Sequence, residues 1–285
     1  MKIALGRVQQ IASRYGLRYL SSLAITLLLK KIGLYSEVSL IKKKITIDSK
    51  HLYKNTVSYG AFKGMVMSER AWWGEDDFFT KYTGHYERHV IDELEKLKEK
   101  YNSFIDIGAG DGFFAVGTLF SGMFLEAICF EISKKGREVI KENASLNGVS
   151  DKITIYGEAT PEALTFALPN PARCLIICDI EGAEFSLFDR PTLEALQHSH
   201  IIIELHDDLF PRLSKARQAL IEAASEYFDV TYIPRHNPEP NTLPEIQDWD
   251  DDARMLAFSE SRPTRMEWVL LSPTKQRNGS QKTAT

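Results

Sequence analysis

The chain reads as an α/β protein built on a mostly parallel sheet with helices on both faces, and three observations predict this. The stretch Phe104-Ile-Asp-Ile-Gly-Ala-Gly-Asp-Gly-Phe113 sets an apolar run ahead of glycines at 108, 110 and 112. A helical pattern from Phe114 to Phe120 follows, giving a strand, a tight turn and a helix start. From residue 102 onward short apolar runs alternate with helical spacings, as in sheets covered on both sides. Finally, 285 residues with 44% hydrophobic content can bury a core of that size.

Residues 1–33 read as one or two helices. Arg14 and Arg18 precede Leu20-Ser-Ser-Leu-Ala-Ile-Thr-Leu-Leu-Leu29, and Lys30-Lys31 follow. That run is too short to span a bilayer and carries no small-residue cleavage site, so neither an integral membrane segment nor a signal peptide is expected. Its leucines suit a core-packing amphipathic helix, with a basic helix lying on a membrane surface as the rival reading. Val38 to Ile47 alternates loosely and reads as a strand or hairpin. Residues 54–80, rich in glycine and aromatics, read as an irregular cap. Tyr86 to Tyr101 is a helix with Val90, Ile91, Leu94 and Leu97 on one face.

Seven strand runs are then read: Ser103–Ile107, Leu125–Phe130, Ile153–Tyr156, Cys174–Asp179, His200–Leu205, Val230–Ile233 and Trp268–Leu271. Helices are expected at Gly112–Phe120, Ser133–Asn147, within Phe185–Leu196, and at Arg212–Tyr227. The polar tail Thr274–Thr285 reads as disordered. The division is therefore a cap region over 1–83, an α/β domain over 84–273, and a tail over 274–285.

A formal net charge of −4 offers no basic field for nucleic acid. Cys129, Cys174 and Cys178 lie in apolar runs without metal-site spacing, which reads as reduced core thiols and a cytoplasmic chain.

Ligands of such sheets bind beyond the carboxyl ends of the strands, and the candidate residues cluster there. Asp106 lies two residues before Gly108. A dinucleotide fingerprint would carry a third glycine where Phe113 stands. An acid ahead of G-x-G-x-G resembles instead motif I of class I S-adenosylmethionine methyltransferases, in which the turn (Gly108, Gly110) meets an amino-acid moiety and a carboxylate can meet its ammonium. Glu131 ends the second strand, where a carboxylate can accept both ribose hydroxyls. Glu158, after the third strand, could accept from an adenine amino group. Asp179 ends the fourth strand, where it could orient or deprotonate a hydroxyl nucleophile or bind a cation; an N-cap role competes. His206, in Glu204-Leu-His-Asp-Asp208, could serve as general base or metal ligand. Asp179, Glu204, His206 and Asp207 would suit a divalent cation if they converged; spacing does not bring them together, and no metal is assigned. Trp72, Trp73, Phe78, Phe79, Tyr82 and Trp249 could wall an acceptor site or simply pack.

Together these segments, with Asn143 to Gly148 as N-x-x-x-N-G, Asp179-Ile-Glu-Gly-Ala-Glu184 and Ile203-Glu-Leu-His206, resemble the FkbM family of S-adenosylmethionine-dependent methyltransferases over about residues 84–272. The resemblance implies a Rossmann-like class I methyltransferase fold, S-adenosylmethionine as cofactor, and O-methylation of a hydroxyl on a sugar, glycan or small metabolite. Gly84-His-Tyr-Glu87 resembles the family's G-x-Y-E segment and would bring Glu87 near the cofactor. Two positions depart from the family: Gly110-Asp111 replaces an Ala-Asn pair, and Ile132 replaces a proline. Asp179-Ile-Glu-Gly differs from the Asn/Asp-Pro-Pro-aromatic segment of base N-methyltransferases. The alternatives are an NAD(P)-dependent oxidoreductase, which Phe113 and the lack of a Tyr-x-x-x-Lys pair oppose, and a non-catalytic interaction protein, which intact acids at 106, 131 and 179 oppose. The expected partners are a small-molecule or glycan acceptor and, through the flanking segments, a second copy of the chain.

Overall fold

The computed structural model describes residues 37–70, 72–168, 173–207, 214–235, 239–260, 262 and 266–274, with Ser21, Ile25 and Leu28. Ser21, Ile25 and Leu28 are helical. The rest of the expected N-terminal helix, and the tail beyond Thr274, lie outside the described residues.

Seven strands form one sheet: β1 (Ser103–Ile107), β2 (Glu126–Phe130), β3 (Ile153–Tyr156), β4 (Leu175–Cys178), β5 (His200–Leu205), β6 (Phe228–Ile233) and β7 (Glu267–Pro273). Their order is β3-β2-β1-β4-β5-β7-β6. The pairs from β3 to β5 are parallel. β7 runs antiparallel to both β5 and β6, so the sheet is mixed, with one reversed strand. The central strands β4 and β5 are buried along their whole length, which is why they read as unbroken apolar runs.

Alternate strand residues feed two cores. Phe104, Leu175, Ile177 and Ile202 face one; Ile105, Ile107, Ile176, Cys178, Ile201 and Ile203 face the other. The three cysteines are free and buried. The first core also takes Val57, Phe62, Met65, Phe78, Phe79 and Tyr82 from the N-terminal region alongside Val90, Ile91 and Leu94. Buried packing thus runs unbroken across residue 83.

The helices are α1 (Glu37–Tyr53), α2 (Phe78–Tyr82), α3 (Arg88–Leu97), α4 (Phe113–Phe120), α5 (Lys134–Leu146), α6 (Pro161–Ala167), α7 (Glu184–Leu187), α8 (Arg190–Ala195), α9 (Ser214–Ala224) and α10 (Asp251–Ala257). α1 corrects the strand or hairpin expected over Val38–Ile47. Of the four apolar residues that suggested alternation, Val38, Leu40 and Ile47 face outward, at 52%, 53% and 59% exposed, and Ile45 is buried. The buried face is instead Lys42, Ile45, Thr46, Ser49 and Tyr53, at helical spacing and mostly polar. It is held by polar bonds, with Lys42 Nζ donating to the Ser259 carbonyl at 2.6 Å and Thr46 Oγ1 to that of Glu75 at 3.2 Å. α2, α6 and α10 are further helices where the sequence reading had none. α6 starts at a Thr160 cap with Pro161 in its first turn, and α10 at an Asp250 cap.

Candidate functional site

The site grows from the turn after β1. Gly108, Gly110 and Gly112 have φ of 85°, 56° and 80°. At Gly108 a Cβ would lie 1.9 Å from the Asp179 carbonyl oxygen, so only glycine lets the β1 and β4 ends meet. Beyond the carboxyl ends of β1–β4 opens a cavity of about 300 Å³. Its floor holds Asp106, Gly108, Gly110, Glu131, Glu158 and Asp179, and its walls include Trp72, Trp73, Lys81, Tyr86 and Phe114. The topology thus brings six of the seven expected cofactor-binding residues to one cavity.

Asp106 is buried, and its Oδ2 accepts from the Ala115 amide at 3.1 Å in the first turn of α4. Burial pushes its carboxyl up to about 8, against the pull of that amide, with Asp111, Asp179 and Glu131 adding to the rise. Glu131 spans the two chain segments around it. Its Oε2 accepts from the Gly110 amide at 2.8 Å and its Oε1 from the Ser133 amide at 2.7 Å. A carboxylate offers about four acceptor positions, so two stay open for a diol. Glu158 is exposed on the rim.

Asp179 is half-buried, and behind it lies a buried ionic cluster. His206 Nε2 stands 3.3 Å from Asp179 Oδ1 and 3.4 Å from Glu204 Oε2, while Nδ1 faces Glu184 Oε1 at 3.2 Å. Glu184 Oε1 also accepts from the His206 amide at 2.9 Å. Burial opposes charge on the imidazole, but the hydrogen bonds it donates to the Asp179, Glu184 and Glu204 carboxylates prevail and push it up to about 12. Burial likewise opposes ionisation of Asp179, yet His206 holds its carboxyl below the usual range. The expected general-base role of His206 therefore does not fit. Both ring nitrogens face carboxylates, and the ring lies outside the cavity lining.

Glu87 also lies outside that lining, although its neighbour Tyr86 reaches the cavity. It is buried and pairs with Arg262, which also holds Glu204 and Glu260. Of the four residues considered for a cation, Asp179, Glu204 and His206 meet, while Asp207 pairs with Arg217 at 3.1 Å. Donor atoms of Asp179, Glu181 and His206 do lie within 4.8 Å of one another.

Of the aromatics, Trp72 and Trp73 line the cavity. Phe78, Phe79 and Tyr82 are core residues, and Trp249 packs on Phe79 with ring centroids 5.8 Å apart. Sequence reasoning missed Lys81. Its Nζ lies 2.6 Å from Asp111 Oδ2, with both side chains buried. Thirty positions separate the two in sequence, and no periodicity links them.

No family model matches the chain, and no curated protein matches it. Among solved structures it is similar to the ribosomal protein L11 methylase of Lactobacillus delbrueckii subsp. bulgaricus, at 17% identity over 67% of this chain and 80% of that one, with a TM-score of 0.43. It is also similar to an O-methyltransferase from Bacillus cereus in complex with SAH, at 10% identity over 88% and 97%, with a TM-score of 0.46. A third is the precorrin-6y C5,15-methyltransferase of Geobacter metallireducens, at 15% identity over 65% and 87%, with a TM-score of 0.41. At such identities and scores the likeness assigns no activity, acceptor or residue role to this chain.

Proposed function

We propose that the cavity binds S-adenosylmethionine and that the chain is a methyltransferase acting on a hydroxyl of a sugar, glycan or small metabolite. The observation that carries this reading is the charge of the cavity. Among the described residues its lining holds six acidic side chains (Asp106, Asp111, Glu131, Glu158, Asp179 and Glu181) against one cation, Lys81. S-adenosylmethionine carries a sulfonium and an ammonium against one carboxylate, so it complements such a wall. A dinucleotide would bring a pyrophosphate to the same acids and be repelled.

The residues suit the parts of that cofactor. Asp106, at the turn, would meet the ammonium; the open positions of Glu131 would accept the ribose hydroxyls; Glu158 on the rim would accept from the adenine amino group. When bound, the cofactor supplies an electrophilic methyl group. Asp179, at the lip of β4, orients the acceptor hydroxyl towards it. Methyl transfer to the hydroxyl oxygen would release the hydroxyl proton, which the Asp179 carboxylate or solvent would take up. A carboxylate held below the usual range is a weak base towards a neutral alcohol, so its work is orientation and late proton capture. His206 touches no acceptor. It keeps Asp179 ionised and fixed.

Calorimetric titration with S-adenosylmethionine, its demethylated product and NADH tests the cofactor. The first two should bind at micromolar levels and NADH should not. Glu131→Ala should weaken binding by about 1–3 kcal/mol, the cost of losing hydrogen bonds to a charged group. Binding of NADH in preference would replace this reading with the oxidoreductase one. Transfer of labelled methyl to glycan or phenol hydroxyls then tests the acceptor class.

A further inference from the structure

We propose that Lys81 binds the carboxylate of the cofactor's amino-acid arm, so that the N-terminal region supplies part of the cofactor site; this rests on the S-adenosylmethionine reading above. Lys81 sits on α2, in the region before residue 83, yet its side chain lines the cavity and is 4% exposed. Its Nζ lies 2.6 Å from Asp111 Oδ2, and 5.0 Å and 5.5 Å from the ring centres of Tyr86 and Phe113. An ammonium has three donors. One serves Asp111, and the aromatic faces stabilise the charge without using a donor.

Asp111 is itself fixed to the glycine turn. Its Oδ1 accepts from the Phe113 amide at 3.2 Å, and Asn143 donates to its backbone carbonyl at 2.8 Å. Lys81 is thereby held where the amino-acid arm lies if its ammonium is at Asp106. Among the described residues Lys81 is the one cation in a lining of six acidic side chains, so it is the place in that lining that attracts a ligand carboxylate. Stability does not account for the pair, because a buried ion pair seldom outperforms apolar residues of the same volume. A buried lysine at a ligand cavity is explained by the anion it awaits.

The test uses two ligands that differ only in the arm. S-adenosylhomocysteine carries the ammonium and carboxylate; 5′-methylthioadenosine keeps the adenosine and the sulfur and lacks both. In Lys81→Met the affinity for S-adenosylhomocysteine should fall roughly 10- to 100-fold, while that for methylthioadenosine stays within about twofold of wild type. Because this variant leaves Asp111 buried without its cation, Lys81→Met/Asp111→Asn is titrated beside it, with near-ultraviolet dichroism as the check of folding. The same selective loss is expected there. Equal loss for both ligands, or recovery of S-adenosylhomocysteine affinity in the double variant, would show a purely structural ion pair and overturn the proposal. A wild-type chain that binds neither ligand removes the S-adenosylmethionine reading, and this inference with it.

Discussion

Asp106 and Asp179 sit in one cavity and are driven in opposite directions. Asp106, buried against a helix start with no cation beside it, is held up at about 8; Asp179, beside the His206 imidazolium, is held down. A ligand ammonium at Asp106 favours the ionised form, so binding below pH 8 releases a proton. Affinity for S-adenosylhomocysteine should therefore rise with pH towards 8, by at most about tenfold per unit, and level off above it. Asp106→Asn should flatten the profile; an unchanged slope in that variant would remove Asp106 from the ammonium site. At Asp179 the expectation concerns turnover. Asp179→Asn should cut it by roughly 100-fold or more while S-adenosylhomocysteine still binds, and equal turnover would reject the role. His206 acts through charge on stability as well. Its folded-state pKa lies above its ordinary 6.5, so the imidazolium contributes fully below pH 6.5, and that contribution is lost as pH climbs towards about 12. The difference in unfolding free energy between wild type and His206→Gln should be largest in mild acid and shrink in base.

At the scale of elements, the site depends on close backbone approaches that spacing alone does not reveal. The β1 and β4 ends meet at Gly108, whose φ is positive and whose missing side chain is occupied by the Asp179 carbonyl. Gly108→Ala should both lower the melting temperature and abolish S-adenosylhomocysteine binding, since the turn and Asp179 cannot keep their positions together. The left-handed backbone alone costs about 1–2 kcal/mol. On α4, a Cβ at Gly117 would meet the Phe62 ring at 2.4 Å, so this helix is grooved to receive the N-terminal region. Phe62 in turn stands edge-on to Phe113, with ring centroids 5.4 Å apart. The first turn of α4 and the docking point of the N-terminal segment are one contact, and Gly117→Val should loosen that segment towards proteolysis and, because Trp72, Trp73 and Lys81 of the segment line the cavity, weaken S-adenosylhomocysteine binding with it.

For the whole molecule, the shared core makes the residues before 83 part of the folded unit. A chain starting at residue 84 would lose the buried side chains of Val57, Phe62, Met65, Phe78, Phe79 and Tyr82. At about 1.5–3 kcal/mol for each large apolar group, that is comparable to the whole net stability of a typical domain. Such a truncation should be insoluble or molten by near-ultraviolet dichroism, whereas removal of residues 1–36 should leave a folded chain that binds S-adenosylhomocysteine. Methyl transfer should survive EDTA, because both His206 ring nitrogens face carboxylates. Loss of activity on chelation, restored by Mg²⁺ or Mn²⁺, would place a cation among Asp179, Glu181 and His206. Among the described residues, no helix is long and apolar enough to cross a membrane.

The amino-acid sequence by itself determined the strands and their punctuation. Apolar runs ending in glycine or an acid are local signals, and Ser103–Ile107 and His200–Leu205 stand where those signals put them. The same locality placed Asp106, Glu131, Glu158 and Asp179 at strand ends, and a sheet with parallel neighbours then brings such ends to one edge. What needed the tertiary structure was everything set by packing between distant segments. α1 looked extended because its outward residues are apolar, while its inward polar residues find partners at Glu75 and Ser259 that no local pattern announces. His206 looked like a base because nothing in its own segment shows Glu184 closing on its other nitrogen. Glu87 turned from the cavity because Arg262, 175 residues away, reaches it first. Lys81 became part of the cavity only when the N-terminal region folded against the glycine turn. Local pattern fixes where a strand ends and what ends it; which charges then meet is decided by long-range packing, because the pairing energy of a buried charge depends on neighbours the chain supplies from elsewhere.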